Sequence, residues 1–281
     1  MNLMSIKNLV ISFSLFLHPG CSDNSNQINV TTSAIVNDSS QTKIVAQPQQ
    51  EYQLGNVINN ASELSAFQKF ISKADSVQTI ANVLHIGDSH IKSGYYSEPF
   101  MQVLNTYYAQ RYHNRLFFNF QWFCKTGTKY SDYNDLAELD NQLIGSQPQL
   151  VIISLGTNDA FSGSSRVNFY EKIHHLVKKI KLLSPQSSIL ITTPPDALKY
   201  NAQSRAYIAL PELTNVVNTI VKYCSDNKIP LWNLNSIMGG SYSINSWVTQ
   251  KLAAPDHVHY TAKGYGLFAQ WLYEAFIKII N

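Results

Sequence analysis

Short runs of consecutive apolar residues alternate along the chain with longer stretches in which apolar residues return every three or four positions. Val83–Ile86 is one such run and is followed at once by Gly87. Leu116–Phe123, Leu150–Ser154 (LVIIS) and Ser188–Thr193 (SILITT) are three more, the last stopped by Pro194 and Pro195, and Leu231–Leu234 is shorter. Such runs, bounded by turn residues, predict strands buried on both faces. Phe169–Leu183 places apolar residues at helical spacing with lysines on its outer side, and Ala206–Cys224 and Ala262–Ile280 predict two more helices. An earlier helix, carrying Leu64, Phe67, Phe70 and Ile71, is expected to be capped by Ser62. Strands alternating with helices imply right-handed βαβ crossovers and a central parallel sheet covered on both faces. In such α/β sheets ligands bind outside the carboxyl ends of the strands, so the loops that follow strands are where chemistry is expected.

The first fifty residues follow a different pattern. Lys7 precedes Leu9–Leu17 (LVISFSLFL), an apolar stretch that fits a secretory signal and is too short for a membrane span. Gly20-Cys21 then resembles the end of a bacterial lipoprotein signal, with Cys21 as the lipidated residue. Residues 1–21 are therefore expected to be a signal peptide of the lipoprotein type. Residues 22–50 are rich in Ser, Asn, Gln and Thr without periodicity, and are expected to form a disordered polar tether. Residues 51–281 remain for one catalytic domain.

Composition narrows the partners. Only 14% of the 281 residues are charged, against roughly 25% in an average soluble domain, so Ser, Asn, Gln and Thr supply much of the polar surface. A net charge of +3 without a long basic block argues against nucleic acid as a partner. The membrane is expected to be met only through an N-terminal lipid anchor. No two of the three cysteines stand at C-x-x-C spacing, which excludes a zinc ribbon. Cys124 and Cys224 could pair in an oxidising compartment or remain buried thiols, and sequence leaves both open.

Three loops follow predicted strands or precede the last helix: Gly87-Asp88-Ser89-His90, Gly156-Thr157-Asn158-Asp159 and Asp256-His257-Val258-His259. Lys125-Thr126-Gly127-Thr128 lies between the first two. A serine hydroxyl is a weak nucleophile until a base takes its proton, and that base needs a partner to fix its tautomer. Asp256 and His259 on one loop can meet that need, with His259 Nδ1 toward the carboxylate and Nε2 toward Ser89. The oxyanion formed on attack needs donors, for which Ser89 N–H, Gly127 N–H and the Asn158 amide are available. Each tripeptide alone is ordinary turn chemistry; their order and strand-end placement carry the inference. The absence of Gly-x-Ser-x-Gly argues against an ordinary α/β-hydrolase.

Ser89, Gly127, Asn158 and His259, in that order, resemble the four blocks of the SGNH (GDSL-type) hydrolases over roughly residues 80–281. The resemblance implies a three-layer α/β/α sandwich of the flavodoxin-like kind. It also implies Ser89 as nucleophile and oxyanion donor, Gly127 and Asn158 as further donors, and Asp256 and His259 as orienter and base. Gly-Asp-Ser-His in the first block, Pro194-Pro195-Asp196, Met238-Gly239-Gly240 before Trp247, and His259–Tyr265 look like bacterial peptidoglycan O-acetylesterases. That resemblance implies removal of acetyl groups from the muramic-acid 6-hydroxyl, with an acetylated glycan as partner and no cofactor. The 97 residues between Asn158 and Asp256 leave no room for the carbohydrate-binding module of some relatives. A broad esterase or lipase, an exopolysaccharide O-acetylesterase and a non-catalytic glycan-binding envelope lipoprotein are the alternatives.

Other polar residues have plainer readings. His90 could contact substrate or pack against a helix, and Asp88 is expected to orient the serine loop. His257 and His259 alternate as metal ligands sometimes do, but no further ligand cluster accompanies them, so no metal is expected.

Overall fold

The computed structural model describes residues 55–163 and 168–280. Contacts divide the chain into Met1–Ala46 and Gln47–Asn281, and all described residues belong to the second unit. The expected signal peptide, tether and Cys21 lie outside the described residues.

Six strands form the main sheet: β1 (Ile58–Asn59), β2 (Thr79–Gly87), β3 (Leu116–Cys124), β4 (Leu150–Ser154), β5 (Ser188–Thr192) and β8 (Leu231–Trp232). Their order is β1-β8-β5-β4-β2-β3, parallel except for β1, which pairs antiparallel with β8 at one edge. Numbered among themselves, the five parallel strands run 2-1-3-4-5, the doubly wound flavodoxin-like order. The winding direction reverses between β2 and β4, whose carboxyl ends splay a crevice between them. Ser89 follows β2 and Asn158 follows β4, so both stand at that reversal.

Alternate residues of each central strand face opposite layers. Ala81, Val83, Leu150 and Ile152 pack against α1 (Ser65–Ile71), α3 (Ser97–Arg111) and α10 (Ala262–Ile280) through Phe67, Phe100 and Phe276. Leu84, Ile86, Val151 and Ile153 pack against α4 (Ala137–Ser146), α6 (Phe169–Leu183) and α7 (Pro211–Asp226) through Leu143, Ile173 and Val216. Cys124 belongs to the first layer and Cys224 to the second, so the sheet separates them and they form no disulfide with each other. Burial pushes the Cys224 thiol up to about 12.

Three expected boundaries move. Ala206–Ala209 is not the start of a helix but a strand, β7, paired antiparallel with β6 (Leu198–Asn201). The helix begins at Pro211, which suits a first-turn position because the missing N–H would be unpaired there, and which forces Leu210 into extended backbone (φ −96°, ψ 102°). Ser62 does not cap a helix: Asn60 turns left-handed at φ 52° and ties its side-chain amide to the carbonyls of Cys224 and Ile229, each at 3.1 Å. Ala61–Leu64 then forms a 3₁₀ turn ahead of α1. Leu231–Leu234 is a strand only to Trp232, because Asn233 caps α8 (Leu234–Ile237) by accepting from Ser236 N–H at 3.2 Å.

The turn out of β2 is tight enough to exclude any side chain at its last residue. A Cβ on Gly87 would lie 2.7 Å from Ile91 Cβ and 3.3 Å from the Ser154 carbonyl, between the short helix α2 (Ser89–Lys92) and β4. Gly87→Ala is expected to destabilise the fold by about 1–3 kcal/mol, the usual cost of overpacking. Urea unfolding should show a lower midpoint at an unchanged slope.

Candidate active site

Asp88 closes β2 and caps α2. Its Oδ1 accepts from His90 N–H at 2.9 Å, and its carbonyl accepts from Ile91 and Lys92 at 3.1 Å each. Ser89 thereby becomes the first helical residue, half-buried at the carboxyl end of the central strand. Tyr133 braces the same turn from below by donating to the Gly87 carbonyl at 2.5 Å.

His259 reaches Ser89 from the loop before α10. Ser89 Oγ and His259 Nε2 are 3.2 Å apart, and His259 Nδ1 is 2.8 Å from Asp256 Oδ2. The carboxylate fixes the tautomer: Nδ1–H donates to Asp256, leaving the Nε2 lone pair for the serine proton. Asp256 Oδ1 accepts from the backbone N–H of Val258 and His259, both at 2.9 Å, so the acid organises the turn that presents its own histidine. Burial alone would raise the Asp256 pKa, but the hydrogen bonds from the His259 ring, His259 N–H and Val258 N–H outweigh it and hold the group below the ordinary carboxylate value.

Asn158 is brought to the same place from the β4 side. Gly156, at φ 125° and with Val216 Cγ1 2.8 Å from where a Cβ would stand, turns the chain into α5 (Thr157–Ser162). The Asn158 amide then donates to Asp88 Oδ2 and to the Thr128 carbonyl, each at 3.1 Å. Both amide hydrogens are thus engaged. The Thr128 contact also draws the Gly127 loop to the site; Gly127 itself is exposed at φ 79°. Ser89, His259 and Asp256 are thus joined by direct hydrogen bonds, Asn158 is tied to them through Asp88, the residue before Ser89, and Gly127 adjoins through its neighbour Thr128.

The remaining polar residues sort themselves by burial. Asp88 is almost fully enclosed, and burial pushes its pKa up to about 6 against the opposing pull of His90 N–H, the nearby His259 and the Asn158 amide. His90 packs against the C-terminal helix, with Nδ1 2.8 Å from the Tyr265 hydroxyl, and burial together with the neighbouring His259 lowers its pKa to about 3. The His257 ring stacks on Tyr207 at 3.8 Å. No group of three His, Cys, Asp or Glu side chains suited to a metal occurs among the described residues.

One network had no counterpart in the sequence reading. Beneath the site His85 Nε2 lies 2.8 Å from Ser154 Oγ, Nδ1 lies 3.0 Å from Ser97 Oγ, and Thr192 Oγ1 donates to Ser154 Oγ at 2.8 Å. The chain crosses β2, β4 and β5 just below their carboxyl ends. Its only trace in sequence is the hydroxyl residue that closes each apolar run, Ser154 and Thr192.

The fold and the constellation define an α/β/α hydrolase of the kind that pairs a strand-end serine with a late Asp-x-x-His. The chain belongs to the GDSL-like Lipase/Acylhydrolase family, whose sequence profile matches residues 83–272. A solved peptidoglycan O-acetylesterase superposes with a TM-score of 0.69 at 17% identity, over 79% of this chain and 97% of that one. A two-domain esterase active on acetylated mannans gives 0.55 at 18% identity, over 77% of this chain and 54% of its own length. An acetyl xylan esterase gives 0.53 at 17% identity, over 69% of this chain and 98% of that one. At these identities the likeness is one of fold. No curated protein sequence matches the chain.

His85 is enclosed and its pKa is lowered to about 3 by burial, against an ordinary value of 6.5. A depressed folded-state pKa contributes stability that is present above 6.5 and is lost as pH falls toward 3. Asp88 and Asp196, both raised to about 6 by burial, act in the opposite sense, gaining stability as pH falls through 6. His85→Gln isolates the histidine: between pH 7 and pH 5 it should lose about 2 kcal/mol less stability than the wild type. Denaturant titrations of both proteins at the two pH values measure the difference.

Proposed function

We propose that this chain is an O-acetylesterase of a cell-envelope carbohydrate, working through an acyl-serine intermediate, with O-acetylated peptidoglycan as substrate. The observation that carries the reading is the continuous hydrogen-bonded chain from Ser89 through His259 to Asp256, at 3.2 and 2.8 Å. His259 Nε2 takes the Ser89 proton as Oγ attacks the acetyl carbonyl. The resulting oxyanion is held by Ser89 N–H, Gly127 N–H and the Asn158 amide. Collapse expels the sugar oxygen, which takes the proton from His259 and leaves as the hydroxyl. Water, deprotonated by the same histidine, then attacks the acetyl-serine, and acetate departs as Ser89 regains its proton. Asp256 stays ionised throughout and stabilises the imidazolium.

The choice of substrate rests on the block sequences and on the kinship of the folds: three of the superposed enzymes act on acetylated polysaccharides or peptidoglycan. The choice of compartment rests on residues 1–21, which would place the protein in the bacterial periplasm or cell envelope, held by lipid on Cys21. Two or more acyl chains anchor a protein stably, where one alone does not.

Acetate release from O-acetylated peptidoglycan tests the function. The wild type should release acetate, and Ser89→Ala should fold normally and lose about 10⁴-fold or more in kcat. Asn158→Ala should lose about 10²–10³-fold, the cost of one oxyanion donor. Hydrolysis of small acetyl esters without release from the polymer would keep the serine chemistry and refute peptidoglycan as substrate. Undiminished turnover in Ser89→Ala would refute the nucleophile. For the anchor, Cys21→Ala should move the protein from the membrane fraction to the soluble envelope fraction on cell fractionation; continued sedimentation with membranes would refute lipidation at Cys21.

A further inference from the structure

The β6–β7 hairpin is bolted onto the loop that carries Asp256 and His259. The Leu198 N–H donates to the His257 carbonyl at 2.9 Å, the Tyr207 hydroxyl donates to the Pro255 carbonyl at 3.0 Å, and the Tyr207 ring lies on the His257 ring at 3.8 Å and 25°. His257 itself is held left-handed at φ 55°, its N–H tied to Ala254 at 3.1 Å. Tyr200 pairs directly with Tyr207 across the hairpin, so both rings stand on one face, edge to face at 5.4 Å. Tyr207 is spent on the loop, but Tyr200 is 53% exposed. An aromatic surface therefore runs without a break from His257, in the turn between Asp256 and His259, out to solvent. Arg205, in the turn of the hairpin, is exposed, and residues 198–209 carry no acidic side chain; Lys199, one position from Tyr200 on β6, stands on the opposite face.

We infer that Tyr200 is the platform of a glycan subsite, stacking a sugar ring next to the one that bears the acetyl group, on a strand that carries carboxylates. The inference rests on the proposed carbohydrate esterase function and adds where the polymer lies: along the hairpin, on the Asp256 side of Ser89. Aromatic faces take the apolar face of a pyranose ring, and the Arg205 guanidinium favours an acidic over a neutral strand.

The test compares kcat/KM of the wild type and Tyr200→Ala on three acetyl esters: an O-acetylated monosaccharide, O-acetylated oligosaccharides from muramidase-digested peptidoglycan, and O-acetylated xylo-oligosaccharides. The wild type should favour the peptidoglycan oligosaccharides over the monosaccharide by about tenfold, the worth of one stacked ring. Tyr200→Ala should bring that ratio close to one through KM, while Arg205→Gln should erase only the preference for the acidic oligosaccharide over the xylo-oligosaccharide. A ratio near one in the wild type, or a ratio untouched by Tyr200→Ala, overturns the subsite. An equal fall on all three esters overturns it as well, because Tyr200 would then act through the Asp256 loop. A preference for xylo-oligosaccharides overturns the acidic occupant. Hydrolysis of p-nitrophenyl acetate with no sugar acetate cleaved by any variant is a different result: it refutes the carbohydrate reading itself.

Discussion

Asp88 is the joint between the two halves of the site. One oxygen of its carboxylate holds the turn that presents Ser89, and the other holds the amide of Asn158, which arrives on a different strand. The group is nearly sealed from water, and such a carboxylate tolerates ionisation only because N–H donors replace the lost solvation. Remove either oxygen's partner and a buried acceptor is left unpaired, so the spacing between β2 and β4 and the chemistry above it are fixed by the same residue. Gly87, immediately before, lets the helix approach closely enough for the capping contact to form.

The rest of the site is organised from outside the sheet. Asp256 and His259 both retain substantial exposure, at 49% and 44% of their side chains, so neither is positioned by burial. Their geometry comes from the turn itself, whose backbone N–H groups converge on Asp256, and from the hairpin that clamps the turn's other side. A rigid serine–asparagine half and a braced, solvent-facing acid–base half meet over Ser89. The Thr128 carbonyl takes the Asn158 amide hydrogen that Asp88 leaves, which brings the Gly127–Thr128 loop against the site.

The parallel core was legible in the sequence because strands buried on both faces read as unbroken apolar runs; Leu150–Ser154 is an instance without ambiguity. The four site loops were legible because each follows such a run or precedes the last helix. The hairpin was not: Ala206–Ala209 alternates between exposed and half-buried positions and runs straight into a helix, so its apolar residues blend into the helical pattern after Pro211. β1 escaped for another reason, being two residues long and defined only by its partner β8. The His85 network and the clamp on His257 depend on contacts between residues far apart along the chain, His85 with Ser154 and Tyr207 with His257, which no local pattern encodes.

The central claim is that Ser89 is activated by His259. A fluorophosphonate that phosphonylates activated serines, followed by peptide mass mapping, addresses it without any assumption about substrate. The account predicts one adduct, on the peptide bearing Ser89, formed rapidly in the wild type and slowed by several orders of magnitude in His259→Ala. Labelling of another serine, or labelling of Ser89 at the same rate without His259, would contradict it.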